Sequence, residues 1–93
     1  MADNLGSNPM KIESASATAK TTDRLKIRRI VWENPTTDAD SCVVQNKDGN
    51  QIVKFDPAIA GYNQEFSLGS DGQWFKGLLV PTLDSGTLWV YLD

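Results

Sequence analysis

Apolar and polar residues alternate with period two in short bursts from residue 24 to the end of the chain. In the last burst Leu88, Val90 and Leu92 share one face of a strand, and Thr87, Trp89 and Tyr91 share the other. A terminal strand frays unless it is paired inside a sheet, so this one is expected to be structural. Further upstream Leu25 and Ile27 alternate, and Ile30 and Trp32 resume the pattern after a one-residue slip at Arg28-Arg29. That slip predicts a β-bulge. Strands are expected over 24–32, 41–45, 51–55, 62–68, 74–80 and 87–92. The turns between them are Asn34-Pro35, Lys47-Asp48-Gly49-Asn50, Asp56-Pro57, Gly69-Ser70-Asp71-Gly72 and Asp84-Ser85-Gly86.

Turn signals every eight to twelve residues point to an all-β domain. The expectation is a small antiparallel β-sandwich, jelly-roll-like, of about six to eight strands over residues 24–93. Residues 1–23 read differently. They are rich in Ala, Ser and Thr, hold no aromatic residue, and have only Met1, Leu5, Met10 and Ile12 as large apolar groups. Such a segment buries too little surface to offset its ordering entropy and is expected to be an extended N-terminal arm.

Composition narrows the function classes. A chain of 93 residues makes one small domain with a thin core. Cys42 is the single cysteine, so no internal disulfide forms, and there is no histidine to serve as general base or metal ligand. The net charge of −3 argues against a non-specific nucleic-acid binder. No stretch approaches the ~18 apolar residues of a membrane span, and no apolar signal core is present. Synthesis and folding in a cytoplasm are therefore expected, and association is the remaining route to more buried area.

No catalytic constellation emerges, and the expectation is a non-enzyme without cofactor or metal. Cys42 sits in Ser-Cys-Val-Val, where a thiol is a small buried hydrophobe. Asp38, Asp40, Asp48, Asp56 and Asp84 lie at turns, where Asp bonds nearby backbone amides. Neither Asp38-Ala39-Asp40 nor residues 46–50 carries the ligand series of a calcium loop. Aromatic residues give the stronger signal. Trp89 and Tyr91 oppose the aliphatic face of the last strand and are suited to a partner contact, with stacking on sugars, or lining the inner face while the aliphatic side packs elsewhere, as the other readings. The candidate contact set is Trp32, Trp89, Tyr91, Arg28, Arg29, Leu5, Met10 and Ile12.

The run Gly77-Leu78-Leu79-Val80-Pro81-Thr82-Leu83-Asp84-Ser85-Gly86-Thr87-Leu88-Trp89-Val90-Tyr91-Leu92 resembles the ending of small structural proteins encoded by tailed bacteriophages. The turn Lys47-Asp48-Gly49-Asn50-Gln51-Ile52, after an opening strand over 25–32, is similar to their middle. The resemblance spans residues 25–92 and leaves out the arm. It implies a virion β-sandwich that decorates or cements the capsid, a homotrimer bound to the major capsid protein, with no catalytic residues and no nucleic-acid or membrane partner. The arm is expected to clamp neighbouring subunits. A tail or neck fibre component and a carbohydrate-binding β-module are the alternative readings.

Overall fold

The computed structural model describes residues 3–6, 8–16, 18–38, 40–55, 61–69 and 71–92. They form seven antiparallel strands: β1 (Met10–Ile12), β2 (Thr21–Glu33), β3 (Cys42–Gln45), β4 (Gln51–Phe55), β5 (Gln64–Ser67), β6 (Gln73–Leu83) and β7 (Thr87–Leu92). No helix occurs among the described residues. Hydrogen bonds join all seven strands in one sheet of order β1-β7-β2-β6-β3-β4, with β5 on β2. The all-β expectation holds, but the ladder is one continuous sheet where two facing sheets were expected. A sheet without a covering layer encloses a core only by curling on itself.

Two long strands change partner midway and so turn the sheet. The first half of β2 pairs with β6 and the second half with β7, with a register shift between Ile27 and Arg29. Arg28 is the extra residue there, as the slip in the alternation predicts. The bulge lets Ile27 and Ile30, three positions apart, both reach the core, while Arg28 and Arg29 face solvent. In β6 the residues up to Leu78 pair with β2, and Leu79 to Leu83 with β3. Gly77 sits at this switch with φ +80°; a Cβ there would lie 2.7 Å from the Thr21 carbonyl oxygen and 2.8 Å from Lys47 Cβ. Only glycine tolerates both that backbone and that approach.

The core gathers Ile27, Ile30, Trp32, Cys42, Val44, Phe55, Leu78, Val80, Leu88 and Val90, together with Met10 and Ile12. The last two overturn the free arm. Met10, Lys11 and Ile12 pair with Val90, Trp89 and Leu88, making β1 an integral strand. Alternation over three residues is too brief to stand out in sequence, yet both apolar side chains land on the core face. The flanking polar residues are also bound at home. Asn8 donates from its side-chain amide to the Leu92 carbonyl and accepts the Leu92 N–H, at 3.0 and 2.9 Å. Ser16 and Lys20 donate backbone N–H bonds to the carbonyls of Val80 and Leu78.

Asp3 locks this segment down. Its carboxylate meets the Lys20 ammonium at 2.6 Å, accepts the Glu13 N–H at 2.8 Å, and is close to the Ser14 hydroxyl. Burial alone would raise the pKa of Asp3, but the Lys20 and Glu13 contacts outweigh it and hold the carboxyl below its ordinary value. A depressed folded pKa means stability that is present at neutral pH and lost as pH falls through that pKa. Chemical denaturation of the wild type and Asp3→Asn is expected to show a gap in stability at neutral pH. The gap should close in acid, below the carboxylate range of roughly pH 4; a gap independent of pH would contradict the lock.

Candidate interaction surface

The outward face of the β1-β7-β2-β5 side follows from the pairing. Lys11, Trp89, Val31 and Glu65 are register partners in one row; Tyr91, Arg29 and Ser67 form the next. The inward side of the same strands carries Met10, Val90 and Ile30, then Ile12, Leu88 and Trp32. Thus β7 presents Leu88 and Val90 to the core, and half-buried Trp89 and Tyr91 outward, as its alternation predicts.

The two outward rings are dressed by charged side chains. The Lys11 ammonium stands 5.8 Å from the Trp89 ring centre, and the Arg29 guanidinium 4.1 Å from that of Tyr91. Trp89 donates its indole N–H to Glu33 at 3.2 Å, and Arg29 is paired with Glu65 at 3.0 Å. Beside Tyr91 an open groove of about 430 Å³ is lined by Arg28, Arg29, Glu65, Ser67 and Gly69. The surface therefore offers a rigid aromatic pair, with cations already stacked on it and carboxylates at its margin.

Four other members of the expected contact set belong elsewhere. Trp32 is fully buried against Phe55, ring centres 6.1 Å apart, and its indole N–H donates to the Ser85 carbonyl at 2.8 Å. Its parity with Ile30 marked the core side in sequence; a large aromatic in a small domain is not by itself an exposed one. Met10 and Ile12 are core residues, and Leu5 is partly buried against them. Arg28, Arg29 and Tyr91 line the groove together, and Trp89 stands in the adjacent row on the same face.

The chemistry-bearing candidates fall to structural roles. Cys42 is buried, and desolvation, with the Asp84 charge nearby, pushes its thiol up to about 12, so it holds no thiolate at neutral pH. Asp84 accepts the Ser41 N–H at 2.8 Å, and Asp40 accepts the Ser85 hydroxyl. Asp56 lies outside the described residues. Among those described, no cluster of His, Cys, Asp or Glu could hold a metal ion. No helix among them is long and apolar enough to cross a membrane.

Among the described residues, two aromatics outside the expected contact set are the large hydrophobic residues most open to solvent: Tyr62, 68% exposed, and Trp74, 55% exposed. Position parity would put Trp74 on the side of Leu78 and Val80. The turn of the backbone at Gly77 reverses that phase, so Phe75 points inward while Trp74 and Lys76 point out. Comparison with family models, curated proteins and solved structures found no match.

Proposed function

We propose that the protein is a non-enzymatic structural component of a phage particle that decorates or cements the capsid, with the outward face of β7 and β2 as its contact. The observation that carries the contact is the division of β7. Leu88 and Val90 complete the core, so Trp89 and Tyr91 are surplus to the fold's own packing and preorganised on a sheet. Large aromatics held rigidly lose little entropy on binding and make good anchors. The phage assignment rests on the resemblance over residues 25–92. The clamp by residues 1–23 has no place in this mechanism, because β1 is committed to its own sheet.

Partner contact is favoured over sugar stacking by the cations on the rings. A pyranose needs a bare aromatic face, whereas Lys11 and Arg29 already stand over Trp89 and Tyr91. An acidic protein surface can engage the same cations without displacing them.

Particles grown from the genome that encodes the chain are expected to contain it after gradient purification, by mass spectrometry. Trp89→Ser combined with Tyr91→Ser should leave a folded protein that no longer co-sediments with them. Particles without the chain, or equal incorporation of the double variant, would sink the proposal.

A further inference from the structure

The two exposed aromatics are tied to separate stretches of the chain along β2, Trp74 beside a group of cations and Tyr62 beside loops whose charged residues are acids. Trp74 is the register partner of Lys26, and two positions along, on the same face, Arg24 is the partner of Lys76. The Arg24 guanidinium stands 4.7 Å from the Trp74 ring centre. Like charges directly across a ladder are unfavourable unless an anion relieves them. Arg24 and Lys76 are both exposed, and among the described residues neither has a carboxylate partner. Asp23, next to Arg24 in the chain, is the nearest acid in sequence.

Tyr62 belongs to the second of these stretches. Gly61 donates its N–H to the Pro35 carbonyl at 2.8 Å, and Asn63 accepts the Asn34 N–H at 2.8 Å, which ties Tyr62 to the loop after β2. That loop is joined in turn to the β6–β7 turn, because Thr36 N–H donates to the Ser85 hydroxyl at 3.0 Å. Residues 34–38, 40–41, 61–64 and 84–87 carry Asp38, Asp40 and Asp84 and no Lys or Arg. Eight strand steps separate Lys26 from Asn34, roughly 26 Å at about 3.3 Å per residue. The longest dimension of the molecule is 32 Å.

We propose that copies of this chain associate head to tail, with the basic Trp74 end of one seated on the acidic Tyr62 end of the next. Opposite charges steer and orient the encounter, and the two aromatics supply the apolar anchors. Pairing like ends would bring like charges together, so the complementarity selects a heterologous contact over a two-fold one. Such a contact continues into a ring or an open row of subunits. This goes beyond the outer-face reading and uses none of its contact residues, so each stands or falls by its own variants.

Sedimentation velocity with Trp74→Ala and Tyr62→Ala chains tests the contact. Wild type is expected to self-associate in low salt and to dissociate as salt is raised. Each variant alone lacks one end and should associate at least roughly tenfold more weakly. An equimolar mixture should give one-to-one dimers and nothing larger, since the two surviving ends fit only each other. Both side chains are exposed, so circular dichroism should be unchanged. Arg24→Glu with Lys76→Glu provides a second disruption of the basic end and should likewise pair only with Tyr62→Ala's basic end through its own acidic end. Monomeric wild type in low salt, undiminished association of either single variant, or a mixture that stays monomeric would overturn the proposal.

Discussion

Trp32→Ala is expected to lower the unfolding free energy by about 3–5 kcal/mol, the usual cost of emptying a large aromatic site in a core. The residue is fully buried and packs on Phe55 across the interior. Truncation also strips the Ser85 carbonyl of the indole N–H that it accepts. That bond anchors the β6–β7 turn, where Gly86 passes so close to the Glu33 carbonyl that a Cβ would lie 2.5 Å from it. A domain of this length has roughly 5–14 kcal/mol in total. The variant should therefore unfold at a much lower urea concentration and be partly unfolded when warmed. Urea titration followed by far-ultraviolet circular dichroism measures this. An unchanged midpoint would return Trp32 to the surface, as a contact residue.

Ile12→Asp carries the second large effect. Ile12 is fully buried opposite Leu88, in a strand that sequence composition assigns to a free arm. A free arm would accept the change with no loss of stability. In the sheet, the aspartate must either be buried without a partner or drag β1 away from β7. Unpairing β1 uncovers Met10 and the inner ends of Leu88 and Val90, and burying a Leu or Ile side chain is worth about 1.5–3 kcal/mol. The expected result is a drop of several kcal/mol by that measure, or detachment of the segment. Hydrogen exchange distinguishes the two: detachment removes protection from β1 and from the β7 amides that face it, while β3 and β6 stay protected. Full retention of protection in β1 would contradict its place in the sheet.

The contrast between these two residues shows what was legible. Ile30 and Trp32 share a face by simple alternation, and the burial of Trp32 could have been read from Ile30. The bulge at Arg28-Arg29 was visible because a strand's parity is local. The outward rings on β7 were visible for the same reason. By contrast, Met10 and Ile12 bracket a single polar residue in a run of Ala, Ser and Thr. Nothing local distinguishes that triplet from a chance pair of apolar groups. Its pairing with β7, some eighty positions away in sequence, is what makes it a strand.

Trp74 is the sharper case. Its alternation runs in phase with Leu78 and Val80, which are core residues. One glycine with positive φ, pressed against the Thr21 carbonyl, moves everything before it to the other side of the sheet. A Gly in a strand signals that a phase change is possible, not that it happens. The approach of Thr21 and Lys47 to Gly77 is a contact between segments far apart in the chain, and it decides the matter.

The sequence by itself determined that this chain makes strands, where six of them lie, and which positions of β2 and β7 share a face. Those properties depend on the two-residue repeat of an extended backbone and on turn residues, both of which are local. Only the tertiary structure decided that the strands join in one sheet, that residues 10–12 complete it, and that Trp74 and Tyr62 stand exposed. These depend on pairings between distant segments, and backbone hydrogen bonding, alike for nearly every residue, writes no record of its partner in the chain.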